Sequence, residues 1–405
     1  MSSGRKSWLS IVGIGEDGRP GLSAGALAAL DGADFVVGGA RHLALAAPIR
    51  AETAIWSSPI ADTYRLILAR RNQNVCVLAT GDPFHYGVGA ELAKLVPPDE
   101  MTCWPQASAF TLAASRLGWA LADCACLSLH GRAWERVIPY LQPGARILAL
   151  SWDGTTPQRL AGVLSERGFG ASTITVLEAM GGPRERVRHA VADRFDLTGV
   201  DPLNVVALSI NGAPDARVVT LSAGLADGWF ENDGQMTKAD IRALTLAALA
   251  PRAGELLWDV GAGAGSIAIE WMLRHPSNRA IAIEAHPDRA ARIWRNARHL
   301  GVPDLEIVCS KAPDALQDLA RPEAIFIGGG GSEDGVFEAC WGALKSGGRM
   351  VVNAVTIETE QAILGWRRRY GGSLKRIAVS HLEPVGSMHG WRAAMPVTQY
   401  AVTKP

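Results

Sequence analysis

The chain has 405 residues, 48% hydrophobic and 20% charged, a length that suits two globular domains better than one core. Lys plus Arg equals Asp plus Glu at 40 each, which argues against a broad nucleic-acid surface. No apolar run approaches the ~20 residues of a membrane span, no signal peptide is evident, and the six scattered cysteines show no zinc spacing; the expectation is a cytoplasmic protein with reduced thiols, no membrane partner and no metal.

In chain order, residues 8–15 read as a strand ending in Gly13 and Gly15. A glycine-rich turn follows, and Ser23 caps an alanine-rich helix. Residues 34–37 form a short strand, after which Arg41 and His42 open another helix. The wholly apolar run 75–79 is the kind that a parallel sheet buries on both faces. It ends in Thr80-Gly81-Asp82-Pro83-Phe84-His85-Tyr86-Gly87, a loop shaped for ligand rather than packing. A helix over 105–117 and strands at 126–132, 146–150, 172–177 and 203–210 complete a first domain over 1–215.

Three segments carry a family likeness in this half. They are Val12-Gly13-Ile14-Gly15 with Asp17-Gly18, Thr80-Gly81-Asp82-Pro83 with Gly87, and Glu178 with Gly181-Gly182-Pro183. In that order they resemble the tetrapyrrole methyltransferase family. The resemblance implies two α/β lobes with S-adenosylmethionine (SAM) in the cleft between them. Gly13, Gly15, Gly81, Asp82, Pro83 and the strand end at Asn211 are then expected to hold the cofactor.

Residues 216–235 are glycine- and acid-rich and read as a linker to a second domain over 236–405. Thr237 and Asp240 suit a helix start, with Ile241, Leu244, Ala248 and Leu249 on one face. Next, the apolar run from Leu256 reaches Asp259, and Gly261, Gly263 and Gly265 lead into a helix. A second apolar run ends in Glu284, placed to accept both hydroxyls of a ribose. Strand, glycine turn, helix and acid fit a nucleoside-bearing cofactor, with SAM, a dinucleotide and a purely structural turn as the three readings. The G-x-G-x-G spacing after an aspartate resembles motif I of the class I SAM methyltransferases; a dinucleotide site wants G-x-G-x-x-G. Helices at 288–300, 333–344 and 357–370 alternate with strands at 305–308, 324–327, 349–353 and 376–381. A loop over 388–392 and a last strand at 399–402 complete a Rossmann-like sheet of seven strands.

Thr237-Lys238 before the glycine turn and the glycine run 328–331 make this half look like the cobalamin-pathway methyltransferase/decarboxylases. Together the halves resemble the bifunctional decarboxylating methyltransferases of that pathway. The resemblance implies SAM at one site per domain and a precorrin substrate methylated at carbons 5 and 15. It also implies loss of carbon dioxide from the carbon-12 acetate (precorrin-6B to precorrin-8X). The N-terminal half is associated with carbon 5, and the C-terminal half with carbon 15 and the decarboxylation.

A reduced tetrapyrrole carbon is already an enamine-like nucleophile, so alignment matters more than a strong base and can supply ~7–11 kcal/mol. Basic residues at loop tips are the expected docking groups for its carboxylates: Arg41, His42, Arg132 and Arg184, then Arg242 and Arg392. Gln235, Lys238 and His389 are the expected catalytic residues of the second domain. The alternatives are a nucleic-acid base methyltransferase, a NAD-binding oxidoreductase and a non-catalytic tetrapyrrole carrier. A homo-oligomer through the C-terminal domain is also expected.

Overall fold

Alternation along three apolar runs builds the first sheet. Phe35, Val37, Val75 and Val77 enter one core while Val36, Cys76 and Leu78 enter the other, so the sheet is buried on both faces. The strands are β1 (Leu9–Ile14), β2 (Phe35–Gly38), β3 (Glu52–Ile55), β4 (Val75–Thr80) and β5 (Met101–Trp104), all parallel in the order β3-β2-β4-β1-β5. The intervening helices are α1 (Ala24–Asp31), α2 (Ala40–Leu45), α3 (Ile60–Ala69) and α4 (Gly89–Leu92). Ser23 accepts from the Ala26 N–H and starts α1 as expected.

This computed structural model describes residues 7–331 and 333–405. It divides into two compact units: Met1–Trp134 with Tyr140–Arg217, and Glu135–Pro139 with Val218–Pro405. The first unit continues through α5 (Ala109–Leu117), capped by Ser108, into β6 (Cys124–Ser128) and β7 (Arg146–Leu150). Then come α6 (Thr156–Glu166), β8 (Thr173–Glu178), β9 (Arg186–Val191) and β10 (Asn204–Ser209). The second sheet runs β6-β7-β10-β8-β9; only β6 and β7 are parallel. Phe110, Ala113 and Ala114 of α5 pack on Leu148, Leu177 and Ala207 of that sheet.

The second unit opens with α7 (Ala239–Leu249) and β11 (Leu256–Val260), then α8 (Ser266–Arg274), β12 (Arg279–Ile283), α9 (Pro287–Leu300) and β13 (Glu306–Val308). It continues with β14 (Ala324–Ile327), α10 (Val336–Ala343), β15 (Arg349–Ala354), α11 (Ile357–Tyr370) and β16 (Ser373–Ile377). Last come β17 (Ser380–Val385), β18 (Met388–Ala393) and β19 (Val397–Thr403). Seven strands form one sheet, β13-β12-β11-β14-β15-β19-β16, in which β19 alone runs against its neighbours. Both halves therefore have the α/β folds expected of them.

Three local readings change. Residues 388–392, expected as a loop, are strand β18, paired with β17 from Val385↔Met388 to Ser380↔Ala393. Gly386, at φ 62°, opens the two-residue turn that makes this hairpin possible. The glycine- and acid-rich stretch before α7 is bound rather than loose: Gly224 and Leu225 donate N–H bonds of 2.7 and 3.0 Å to Glu270. Arg242, expected to dock substrate, has no exposed side-chain surface. Its Nε lies 2.5 Å from the equally buried Glu270, and its other nitrogens bond the carbonyls of Thr237 and Leu225. Removing one partner of such a pair strands the other charge. Glu270→Ala is expected to cost the second unit about 3–5 kcal/mol in denaturant unfolding, with the first unit unaffected.

Candidate functional sites

In the first unit, two strand ends touch where a side chain would forbid it. A Cβ on Gly13 would sit 1.8 Å from the Gly81 carbonyl, and Gly81 itself turns at φ 55°. This close approach seats the loop after β4 over the end of β1. Asp82 then accepts the Phe84 N–H at 2.9 Å, and Tyr86 donates its hydroxyl to the Cys126 carbonyl at 3.0 Å. Above lies a cavity of about 870 Å³. Its floor is the carboxyl ends of the parallel strands, where open α/β sheets bind ligands.

Of the residues expected here, Gly15, Gly81, Asp82, Arg41, His42, Arg132 and Arg184 line this cavity. Gly13 lies beneath the lining, and Pro83 accepts the Gly89 N–H at 2.9 Å within the same loop. Asn211 is misplaced by the sequence reading. Because β10 runs antiparallel to β7 and β8, its first residues, Asn204 and Val205, reach the cavity. Asn211 lies past the other end, where its N–H bonds Ser172 at 2.9 Å.

The basic residues are held rather than free. Arg41 pairs with Glu16, and Arg184 pairs with Asp201 and lies 3.5 Å from Glu16. Arg132 stands 5.3 Å over the Tyr86 ring. Burial first, then Arg41, pushes His42 down to about 4 against the pull of Glu16, so its ring is neutral near pH 7. Thr80, quoted from sequence only as the first residue of its loop motif, also lines the cavity, as do Ser108, Met180 and Asn204, which sequence reasoning missed. Ser108 was legible, as a capping residue after the fifth parallel strand.

In the second unit, Gly261 repeats the device. It turns at φ 70°, and a Cβ there would lie 2.6 Å from the Gly329 carbonyl, so β11 and β14 open into glycine backbone at adjacent ends. A cavity of about 340 Å³ follows, lined by Gly261, Glu284, His286, Arg289, Lys311 and Gly330, among others. Glu284 accepts the Gly263 N–H at 2.8 Å with one oxygen and the His286 N–H at 3.0 Å with the other. Each oxygen keeps a second lone pair, the acceptor set that two neighbouring hydroxyls need. Gly265 caps α8 from a left-handed backbone at φ 76°.

Asp259 lies buried below the turn. Its Oδ2 accepts the Ala268 N–H at 3.0 Å in the first turn of α8, and Oδ1 has no partner among the described residues. Burial raises its carboxyl to about 7, the Ala268 bond opposing and Glu284 adding to the rise.

The expected catalytic residues are placed unequally. The Gln235 carbonyl is 3.3 Å from where a Gly263 Cβ would be, and its side chain accepts from Arg289 at 2.9 Å. Lys238 precedes α7 with its Nζ 3.6 Å from Asp227. His389 and Arg392 lie on the β17–β18 hairpin, outside the cavity lining, with Arg392 bonded to Glu383 at 2.8 Å. Both were expected on a loop, and nothing in the sequence placed that segment away from the glycine turn.

A glycine turn between β11 and α8, with an acid at the end of β12, in this seven-strand order defines a class I SAM-dependent methyltransferase domain. The family description "Precorrin methyltransferase domain" matches residues 228–404, and "Tetrapyrrole (Corrin/Porphyrin) Methylases" matches residues 9–196. A Sinorhizobium precorrin-6Y C(5,15)-methyltransferase [decarboxylating] is 54% identical over 98% of this chain and 96% of its own length. A Mycobacterium tuberculosis protein of the same name is 42% identical over 98% of this chain and 100% of its own. A Salmonella typhimurium cobalt-precorrin-6B C(15)-methyltransferase (decarboxylating) is 31% identical over 42% of this chain and 89% of its own. The chain belongs to the precorrin-6Y C(5,15)-methyltransferase (decarboxylating) family, whose members are SAM-dependent methyltransferases.

The sign of the Asp259 effect is testable. A carboxyl whose folded value is raised binds its proton more tightly when folded, so stability falls as pH rises from about 3.8 through about 7. Asp259→Asn keeps an acceptor for Ala268 and removes the charge. In unfolding titrations without ligand, its stability gain over wild type should grow across that window to the order of a few kcal/mol.

Proposed function

We propose that this chain methylates a precorrin at carbons 5 and 15 and removes carbon dioxide from the carbon-12 acetate, using one SAM site in each unit. The observation that carries this reading is the presence of two cavities of similar construction. Each lies at the carboxyl ends of parallel strands, over a backbone contact that only glycine permits. SAM supplies an electrophilic methyl group when bound.

In the second unit Glu284 takes the ribose hydroxyls and Gly261 keeps the floor open for the rest of the cofactor, while Gly263 holds Glu284 through its N–H and Gly265 lets Ile293 pack against the start of α8. Asp259 stiffens the turn from below through the Ala268 N–H. Gln235 and Lys238 are the catalytic candidates of this unit, supported by the seat of Gln235 against the glycine turn. In the first unit Gly15, Gly81 and Asp82 line the cofactor side, and Arg41, Arg132 and Arg184 meet substrate carboxylates. Holding the macrocycle against the donor lowers the barrier mainly through orientation. The electrons left by decarboxylation are accepted by the conjugated ring itself, so the protein's part is docking and return of a proton.

Incubation of the full chain with precorrin-6B and SAM is expected to add two methyl groups and remove one carbon dioxide, followed by mass. Equilibrium dialysis should find two SAM equivalents per wild-type chain and one for Glu284→Ala. Hydride uptake, or one equivalent in the wild type, would reject the reading.

We further assign the protein to the cytoplasm, where SAM is at hand, and to a homo-oligomer built through the second unit. The hairpin supports the latter: Leu382, Val385, Met388 and Trp391 are 57–75% exposed on one two-stranded arm. They form two cross-strand apolar pairs, Leu382 with Trp391 on one face and Val385 with Met388 on the other, and apolar exposure on both faces of an arm suits association. Light scattering should give more than one chain per particle for wild type and a smaller particle for Trp391→Glu.

A further inference from the structure

A tight polar cluster at the rim of the first cavity points to Thr80, which opens the Thr80-Gly81-Asp82-Pro83 motif and to which the sequence attached no role of its own. Thr80 ends β4; the five residues before it are buried and it alone is exposed, on the cavity lining. Its Oγ1 lies 2.8 Å from His42 Nε2 and 3.0 Å from Arg41 Nη2. The His42 ring is oriented from the other side, because the Gly39 N–H reaches Nδ1 at 3.4 Å. A backbone N–H can only donate, so Nδ1 is the acceptor and, in the neutral ring, Nε2 carries the proton. Burial keeps that ring neutral.

With the proton on Nε2, two donors converge on one hydroxyl oxygen, and the 3.2 Å approach of Arg41 Nη2 to His42 Nε2 is then a contact between two donors that share this acceptor rather than a hydrogen bond. A threonine hydroxyl has two lone pairs and one proton. With both lone pairs taken, the hydroxyl can act on a ligand only as a donor, and its proton is left to point into the cavity. Arg41, Arg132 and Arg184 share the lining with Glu16, Asp82 and Asp201, and Glu16 and Asp201 are already paired with Arg41 and Arg184. A lone hydroxyl donor calls for an acceptor on the ligand, and a carboxylate is the strongest one it can meet.

We propose that Thr80 donates its hydroxyl proton to a carboxylate of the ligand bound in the first cavity, and that His42 is a positioning residue that acts only through Thr80. This rests on reading the first cavity as the carbon-5 methylation site. Both ligands of that site carry the required chemistry: the acetate and propionate arms of the tetrapyrrole, and the methionine end of SAM. His42, expected from sequence to dock substrate directly, then acts one residue removed.

The test uses the full chain with precorrin-6B and methyl-labelled SAM, following carbon-5 methylation by NMR. Thr80→Val, which keeps the shape and removes the donor, should raise KM for one of the two substrates about ten-fold with kcat nearly unchanged. A rise for precorrin-6B identifies a tetrapyrrole side chain, and a rise for SAM its methionine carboxylate. Thr80→Ser should restore the wild-type KM, and His42→Phe should add nothing in the Thr80→Val background. Nitrogen NMR of the labelled chain should find the His42 proton on Nε2. The proposal is overturned by unchanged KM values in Thr80→Val, by a further loss on adding His42→Phe, or by a proton on Nδ1. A wild-type chain that places no methyl on carbon 5 would overturn the site reading and the proposal with it, a result distinct from an indifferent Thr80→Val in an active enzyme.

Discussion

Backbone against backbone, with no side chain between, is the contact on which both cavities depend. Gly13 meets Gly81, and Gly261 meets Gly329, each at a distance where a single methyl group would collide with a carbonyl oxygen. A parallel sheet normally ends in side chains that fan outward and fill the space above the strand tips. Where two adjacent strands end in bare backbone, that space stays open and its floor presents N–H and C=O groups directly to a ligand. Everything else at the two sites is arranged around this opening: Asp82 and Tyr86 fold one loop over it, and Glu284 is held beside the other by two backbone N–H groups.

Three buried acids show how differently the same chemical group is used. Glu178 is buried, which alone would raise its pKa, yet Arg186, the Asp201 N–H and Arg188 outweigh this and hold it at about 2. It is a permanently charged anchor at the end of β8, next to the turn that carries Met180 to the first cavity. Glu270 is neutralised in place by Arg242 and ties the segment before α7 to α8. Among the described residues Asp259 has no cationic partner and accepts only the Ala268 N–H, so desolvation wins. Glu178 and Glu270 brace the fold through their arginine partners. The third keeps an unpaired oxygen beneath a ligand turn, which costs stability and is the arrangement expected where binding rather than folding sets the residue.

Much of this was legible in the residues. The apolar runs at 75–79 and 256–258, the glycines after them and the acid at Glu284 identify strand, turn and partner because each obeys a local rule of spacing. What stayed hidden depends on direction or distance. Asn211 was placed at the cofactor by the family resemblance, which carries no strand direction, and only pairing with β7 and β8 shows which end of β10 faces the ligand. Arg242 looked like a solvent-facing cation at a helix start because its partner, Glu270, lies a whole strand away on α8. The hairpin residues 388–392 looked like a loop because glycine, histidine and arginine interrupt their apolar pattern.

The two cavities also differ in what they ask of the chain. The second is lined mainly from the ends of four neighbouring strands, at Val260 and Gly261, at 283–286, at 310–312 and at Gly329 and Gly330, and of these the glycine turn with Glu284 is the part a short motif makes recognisable. The first is assembled from the ends of β1, β4, β7, β8 and β10 and the start of α5, with arginines held by Glu16 and Asp201. No short pattern encodes such a surface, because each element contributes one or two side chains. A large, acid-fringed ligand needs several separated cationic and donor points, and those are most readily supplied from many strand ends at once. The residues that choose the ligand in the first unit should therefore be sought among dispersed positions such as Thr80, Arg132 and Asn204, while the glycines nearby secure the space in which that choice is made.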